Sequence, residues 1–169
     1  MRPRRRGSSI ARRSKRPSSP AREGTTGGKK TTGVKRHACV DTIGLVWGLS
    51  VTPADVPDGK GARAAVVEAR AASGGRLTHL WADSAYRGLL VAFCWVLFDV
   101  TVQIVTRREG SVGFEVQHRR WVVERTFGWL GRWRRLNRNY EHTLASGKAV
   151  VQVALIGIMT RRLAKTNKK

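Results

Sequence analysis

Two acidic residues stand where carboxylate chemistry could take place, Asp83 and Glu124. Asp83 directly follows the apolar residues Leu80–Ala82 and precedes the segment Ser84–Gly88. Sites in open α/β sheets form where a strand ends, which makes Asp83 a candidate functional residue. An aspartate at the start of a helix also accepts backbone N–H bonds, so position alone favours an N-cap as the interpretation of Asp83.

Glu124 lies in the middle of a predicted helix, beside the apolar residues Val122 and Val123. Arg120 is one turn earlier, and an ion pair at this spacing stabilises a helix by roughly 0.3–0.5 kcal/mol. Taken alone, Glu124 is better explained as half of such a surface pair. Its apolar neighbours argue for the alternative, a carboxylate directed towards a site.

Hydrophobic patterning predicts the elements that would position these two acids. Residues 35–52 are typical of two strands joined by a turn, in which Gly44 supplies a permissive backbone and Asp41 a side-chain hydrogen bond. Pro53 is expected to end the second strand. The chain then alternates between further helices and strands, which predicts an α/β sheet packed by helices. The predicted elements are a loop over Asp55–Gly61, helices over Ala62–Ala72, Tyr86–Phe98, Arg119–Leu136 and Ala145–Lys165, strands over Leu77–Ala82 and Val100–Thr106, and an extended piece over Ser111–Gln117.

The charge of the chain predicts a polyanionic partner. There are 33 Lys and Arg residues against 11 Asp and Glu, a net charge of +22. Such self-repulsion is offset most readily by nucleic acid, with an anionic membrane surface as the minor alternative. Residues 1–32 are rich in Arg, Ser, Pro and Gly and contain almost no large apolar side chain. A segment of this kind cannot bury enough surface to offset its ordering entropy, so we expect it to be a disordered basic tail.

Targeting and redox features favour a reducing cytoplasm. Met1–Arg16 contains no apolar core of a secretory signal, although its composition also fits an organellar transit peptide. The longest apolar runs, Gly88–Phe98 and Ala149–Met159, are too short to span a bilayer and predict buried helices. Cys39 and Cys94 lie in apolar runs and are expected to be buried thiols.

Three segments together resemble the catalytic domain of Asp-Asp-Glu (DDE) transposases of bacterial insertion sequences, from about Gly33 to Leu163. One is similar to the family's early hairpin, one to its second-aspartate motif and one to the signature around its catalytic glutamate. In that order they are Lys35–Leu45 with Val51–Ala54, Trp81–Gly88, and Arg119–Leu130 followed by Arg132–Leu136. The resemblance implies a ribonuclease-H-like mixed sheet flanked by helices.

The resemblance also implies a chemistry. Asp83 and Glu124 would be the second and third acids of a triad that binds Mg²⁺ or Mn²⁺, in which two ions clamp the attacking and leaving oxygens of a phosphoryl displacement. Strand cutting and strand transfer would act on transposon ends and target DNA. The basic residues expected to contact DNA are Arg120, Arg125, Arg132, Arg134, Arg135, Lys35 and Arg36. Further implied partners are a second copy or an intact transposase, on the nucleoid of a bacterial cytoplasm and not in a membrane.

The N-terminal segment departs from the family. The first catalytic aspartate should lie on a strand before Lys35, yet residues 1–32 contain no Asp and only one acid, Glu23. The family's tyrosine and lysine near the glutamate are replaced by Gln117 and Gly131. We therefore expect a catalytic domain over residues 33–165, N-terminally incomplete with its first strand missing or degenerate, a basic tail over 166–169, and a truncated, inactive copy of the enzyme that Asp41 does not rescue.

Two other functions fit parts of the sequence. A non-catalytic remnant of a transposase would bind DNA, or pair with an intact transposase, without chemistry. A basic RNA-binding protein would explain the charge and the tail. The pair of acids and the Trp-rich helix argue against RNA binding, and the sequence contains no aromatic RNA-recognition motif.

Overall fold

A computed structural model describes residues 7–14, 24–25, 32–106 and 121–166. The six strands are β1 (Gly7–Ser14), β2 (Gly24–Thr25), β3 (Thr32–Asp41), β4 (Val46–Pro53), β5 (His79–Ala82) and β6 (Thr101–Ile104). The helices are α1 (Asp58–Gly61), α2 (Arg63–Ala72), α3 (Leu89–Phe98), α4 (Trp121–Leu130) and α5 (Leu144–Thr166), with short 3-10 turns at Ser84–Tyr86 and Arg134–Leu136.

The strands form one mixed sheet in the order β4–β3–β1–β5–β6, with β2 paired to the start of β3. Strand β3 is antiparallel to both β1 and β4, whereas β5 is parallel to both β1 and β6. This arrangement confirms the predicted α/β class. It also places β1 at the centre of the sheet, between the hairpin and the strand that ends just before Asp83.

The first strand was expected to be missing or degenerate, and the alternative of a missing strand was wrong. The expected disorder of residues 1–32 was wrong for Gly7–Ser14 and Gly24–Thr25. Strand β1 pairs with β3 along all eight of its residues and with β5 from Gly7 to Ser9. The composition argument failed because a central strand is stabilised by backbone hydrogen bonds to both neighbours, which depend little on its own side chains. The rest of the predicted tail lies outside the described residues.

Helices cover the two faces of the sheet and bury two cores. Alternation along β3 divides its residues between them: Cys39 belongs to the core under α2 and α3, while Ala38 and Val40 belong to the core under α4 and α5. Gly48 of β4 lets α2 come close, since a Cβ there would lie 1.9 Å from the carbonyl oxygen of Ala65. Both cysteines are buried free thiols, as predicted.

Most predicted elements are present, with three main differences. α1 forms a helical turn inside the predicted loop, and α3 begins at Leu89 because a separate 3-10 turn follows Asp83. α4 ends at Leu130 instead of Leu136. Past Gly131 the chain turns, and the Trp133 ring packs where a Cβ on Gly157 of α5 would be 2.8 Å away. The predicted extended piece at 111–117 lies outside the described part of the chain.

Helix α5 is long and apolar enough to cross a membrane when judged by length and composition alone. In this fold, Val151, Ala154 and Leu155 on one side of it are buried in the second core. The helix therefore serves as a layer over the sheet, and its opposite side exposes apolar residues such as Ile156 and Leu163.

Candidate functional site

Asp83 lies at the C-terminal end of β5, next to the central strand. Its Oδ1 atom accepts a hydrogen bond from the Ala85 backbone N–H at 2.9 Å, which caps the 3-10 turn that follows. The residue is half-buried. Position and capping are thus both as expected from the sequence, and an N-cap bond to one oxygen leaves the carboxylate with further acceptor capacity.

The turn that carries Asp83 is attached to the sheet through buried polar side chains. The Tyr86 hydroxyl lies 3.3 Å from Nδ1 of His37 on β3, and Nε2 of that ring lies 3.1 Å from the Thr52 hydroxyl on β4. Tyr86 and His37 are fully buried. Burial lowers the pKa of His37 to about 4, opposed by the nearby Asp58 carboxylate, so the imidazole is neutral at neutral pH.

Glu124 is exposed on α4, whose buried face is formed by Val122, Val123, Thr126, Phe127 and Leu130. The helix packs across β1 and β3. Arg120, the expected surface partner of Glu124, lies outside the described residues. Glu124 therefore stands on the helix that covers the central strand, on the side of the sheet that holds the second core.

The β3–β4 turn fixes α4 in place through an arginine and a threonine. The Ile43 carbonyl accepts hydrogen bonds from Arg125 at 3.2 Å and from Arg162 of α5 at 3.1 Å. The Thr126 hydroxyl donates to the Val122 carbonyl at 2.9 Å and lies 3.3 Å from the Gly44 carbonyl. Gly44 has a φ of +86°, and a Cβ there would lie 3.1 Å from the Thr126 hydroxyl. The turn thus requires glycine both for its backbone and for the approach of α4.

Arg125 contacts aromatic rings as well as the turn. Its guanidinium lies 4.1 Å from the Trp121 ring centroid and 4.9 Å from that of Trp129. Burial, and then the neighbouring Arg162, lower its pKa. Arg125 was expected, together with Arg120, to contact DNA phosphates. In this fold its documented contacts are to the turn and to two tryptophans, which makes it a positioning residue for the helix that bears Glu124.

Asp41 is committed to the turn, as its position in the hairpin predicted. Oδ1 accepts from the backbone N–H groups of Ile43 and Leu45 at 3.0 and 2.9 Å, and Oδ2 accepts from the indole of Trp47 at 3.2 Å. It is 4 % exposed. A carboxylate with three donors in such a place has a structural role in closing the hairpin.

Asp41 is also far from Asp83. Asp41 pairs with Gly7, whereas Ala82, the residue before Asp83, pairs with Ser9. Three residues along β1 and two strand spacings across the sheet correspond to roughly 14 Å. A carboxylate oxygen ligates Mg²⁺ at about 2.1 Å, so Asp41 cannot join Asp83 at one ion.

The described residues do not assemble a complete acidic triad. Strand β1 has the sequence Gly-Ser-Ser-Ile-Ala-Arg-Arg-Ser and contains no acid. Across the ranges that the structure describes, no three His, Cys, Asp or Glu side chains are grouped so that they could hold a metal ion. The two carboxylates of Asp83 and Glu124 do not supply enough ligands for a two-ion centre.

The expected DNA-contacting residues fall into two groups. Lys35 is buried, donates to the Val56 carbonyl at 2.7 Å and pairs with Asp58 at 2.9 Å, so its expected DNA contact is corrected to a structural role. Arg36 donates to the Leu136 carbonyl at 2.9 Å. Arg135 binds Glu141 with two hydrogen bonds. Arg132 and Arg134, just past α4, are exposed.

Sequence reasoning missed Arg162, Thr126 and the two tryptophans as positioning groups. A signal was present for part of this set, because Trp121, Arg125 and Trp129 follow one another at four-residue spacing and so share a helix face. Nothing local linked Arg125 to Ile43, which is 82 residues away, or Arg162 to Ile43, which is 119 residues away.

A cavity of about 440 Å³ lies between β4, α4 and α5, lined largely by apolar side chains such as Trp47, Trp129, Leu155 and Met159. Neither Asp83 nor Glu124 lines it. The candidate site is therefore an open position on the sheet and not this cavity.

Comparison with known proteins identifies the family. The model of the transposase DDE domain matches residues 7–156, from the first residue of β1 into α5. The chain belongs to the transposase DDE family. The match includes the strand that sequence patterning missed, which agrees with the position of β1 in the sheet.

Solved structures of the DDE type resemble this transposase-family chain in fold. One is a chain of the simian T-cell lymphotropic virus intasome, solved by cryo-EM in complex with the PP2A regulatory subunit B56 gamma, at 19% identity and a TM-score of 0.54, covering 90% of this chain and 47% of that one. Another is the catalytic core domain of BIV integrase, at 16% identity and a TM-score of 0.48, covering 91% and 82%. The chain thus spans about half the length of the first. No curated protein sequence matches it. The first likeness confirms the ribonuclease-H-like fold.

Proposed function

We propose that this chain is a DNA transposase with an incomplete acidic triad, which binds DNA but does not cut it on its own. The observation that carries the proposal is the central strand. β1 is paired to both neighbours in the position where the resemblance places the first aspartate, yet it contains no acid. Strand cutting and strand transfer, the activities of the family, would need that third carboxylate.

The sheet register supports the convergence of Asp83 and Glu124 on one face. Trp81 pairs with Ser8, and Ser8 pairs with Val40, a residue of the core under α4. Paired residues share a face and alternate residues return to it, so Asp83 belongs to the same side of the sheet as α4. Glu124 is on that helix, which packs across β1. We expect both carboxylates to share one Mg²⁺ or Mn²⁺ ion, weakly.

Mn²⁺ titration of the purified chain, followed by electron paramagnetic resonance, tests that convergence. One weak site is expected, and Asp83→Asn and Glu124→Gln should each abolish it, with no further loss in the double variant. Glu141→Gln, which alters an acid beyond α4, is the matched control and should bind as the parent does. Equal binding by the parent and both single variants would show that the two acids do not share an ion.

DNA recognition is assigned to exposed cations. Arg132 and Arg134 are exposed just past α4, and a net charge of +22 attracts phosphates over the whole chain. Transposon ends and target DNA would be the substrates, on the nucleoid of a bacterial cytoplasm. Arg132→Ala should weaken binding to every sequence alike and reduce the salt slope by about one, whereas Arg125→Ala should mainly lower stability. Equal salt slopes for both variants would contradict this division.

Restoring an acid on β1 is the experiment that tests the missing triad member. Ser8 pairs with Trp81, and Ile10 comes one residue past the Ser9–Ala82 pair, level with Asp83. Ser8→Asp or Ile10→Asp should bring Mn²⁺-dependent nicking of supercoiled DNA to a chain that otherwise has none. Ser9→Asp is the control, since Ser9 pairs with Cys39 of the other core. Failure of both variants while they still fold and bind Mn²⁺ would refute the proposal.

A further inference from the structure

Helix α3 has two apolar sides, of which the core uses one. Leu90 and Cys94 are fully buried against the sheet, with Val91 and Phe98 packed beside them. The opposite side exposes Leu89, Trp95 and Val96, which are 59–76% exposed.

Leu89, Ala92 and Val96 follow the spacing i, i+3, i+7, which is the pattern of a helix face that packs against another helix, and Trp95 comes three residues after Ala92 beside them. We call Leu89, Ala92, Trp95 and Val96 the outer stripe of α3.

The outer stripe is uncharged in a chain of net charge +22. From Gly88 to Phe98 there is no Asp, Glu, Lys or Arg. The nearest cations are Arg87 at its start and Arg63 of α2, whose guanidinium lies 5.1 Å from the Phe93 ring centroid at the margin of the stripe. Two copies of this chain repel each other over most of their surfaces, and the stripe is a place where they can approach without opposing charges of like sign.

The ends of α3 carry charges of the wrong sign for their own helix. Arg87 directly precedes the N-terminal cap, Gly88, and Asp99 is the C-terminal cap, in the left-handed conformation with φ +52°. A helix dipole favours acids at the N-terminus and bases at the C-terminus, so both residues oppose it. Both are exposed. In an antiparallel pair of such helices, each Arg87 would lie beside the C-terminal end of the other helix and beside its Asp99.

We propose that the outer stripe of α3 is a self-association surface, on which α3 of a second copy packs antiparallel about a two-fold axis. Two apolar stripes face each other, and two Arg87–Asp99 pairs close the ends. A two-fold interface uses the same patch on both copies, which is what a helix with opposite charges at its two ends provides. The assignment does not rest on the incomplete triad or on DNA binding.

The size of the stripe sets the expected strength. Patches of about 300–600 Å² are the largest that monomers usually expose, and standard stable interfaces bury about 800 Å² per partner. A single ten-residue helix falls in the first range, so we expect reversible association with a Kd on the order of 1–100 µM.

Sedimentation velocity of the full chain, without DNA or metal, tests the proposal. The parent should dimerise reversibly, and Val96→Glu should weaken dimerisation at least tenfold. Val153→Glu is the matched control, because Val153 is an exposed valine on α5 at 60% exposure, compared with 76% for Val96. It should dimerise as the parent does. A parent that stays monomeric at concentrations on the order of 100 µM, or equal dimerisation by both variants, would overturn the proposal.

Charge reversal and cross-linking test the antiparallel arrangement. Arg87→Glu and Asp99→Lys should each weaken dimerisation, and the double variant should recover it, because opposite charges again meet at both ends. Ala92→Cys, near the middle of the stripe, should form a disulfide-linked dimer on mild oxidation, and Val153→Cys should not. Both native thiols are buried and should not interfere. Absence of recovery in a folded double variant together with absence of the Ala92→Cys dimer would contradict the arrangement.

Discussion

The central strand β1 and the turn after β5 lie side by side but are held in different ways. β1 is placed by backbone pairing to β3 and β5, with a sequence that has one large apolar residue, Ile10. The turn after β5 is held by side chains, through Tyr86, His37 and Thr52. The first region contains no acid, whereas the second begins with the candidate acid Asp83.

A central strand can keep its place in the sheet without carrying an acid. Backbone hydrogen bonds make few demands on side chains, so serines and arginines can occupy the centre of the sheet. A carboxylate that must meet a metal ion at about 2.1 Å has to be present and correctly placed. At β1, pairing of the strand therefore does not depend on a carboxylate. At the turn after β5, the candidate carboxylate of Asp83 also caps the turn.

The largest expected effect comes from breaking the backbone of β1. Ser9→Pro removes an N–H group inside a strand that is paired on both sides, and should cost on the order of 3 kcal/mol or more. Ser9→Ala keeps the backbone and should change stability by less than about 0.5 kcal/mol. Urea unfolding of both variants measures this. Similar losses in the two variants would show that β1 depends on its side chains.

Low pH should destabilise the turn after β5, because His37 becomes protonated. Its pKa is lowered by burial from 6.5 to about 4 in the folded protein, so the unfolded chain binds the proton more tightly. The stability that depends on the neutral ring is present above pH 6.5 and is lost as pH falls towards 4, by about 3 kcal/mol at most. Urea unfolding between pH 7 and pH 4 of the parent and His37→Gln should show a steeper loss in the parent. Parallel pH profiles would contradict this role.

Removing the Tyr86 hydroxyl should have a smaller effect. Tyr86→Phe keeps the packing but leaves His37 without that partner, which should cost about 1–2 kcal/mol. Because Tyr86 ends the turn that Asp83 caps, Mn²⁺ binding should weaken as well. Tyr140→Phe, on an exposed tyrosine, is the control and should leave both quantities unchanged. Lower stability with unchanged Mn²⁺ binding would restrict Tyr86 to a packing role.

Local signals predicted one part of the molecule well and failed where contacts are distant. The β3–β4 hairpin followed from Asp41, Gly44 and Pro53, all of which act within a few residues. β1 could not be predicted from composition, because its partners are residues 34–41 and 80–82. From the sequence, Lys35 was expected to be a surface cation. In the fold, the loop after β4 brings Asp58 next to Lys35, and the two charges form an ion pair.

Family motifs predicted the two candidate acids, whereas the local sequence did not predict where the first strand lies. Asp83 and Glu124 were proposed because the residues around them match two family motifs, and the absence of an aspartate before Lys35 was visible in the sequence. The sequence did not show which residues take the place of that aspartate in the sheet. Only the register of β1 shows that Ser8 and Ile10 lie on the strand beside Asp83. The contact between Arg125 and Ile43 spans 82 residues. Since no local signal in the sequence reports such a contact, Arg125 was expected to contact DNA instead.

Nicking of supercoiled DNA by the purified, unsubstituted chain is the most direct test of the central claim. With Mg²⁺ or Mn²⁺, the proposal of an incomplete triad predicts DNA binding and no nicking above the level of the Asp83→Ala variant. Robust metal-dependent nicking that disappears in Asp83→Ala would contradict it, because a third carboxylate would then have to reach the site. Loss of that activity in Asp41→Ala would in addition refute the roughly 14 Å separation derived from the sheet register.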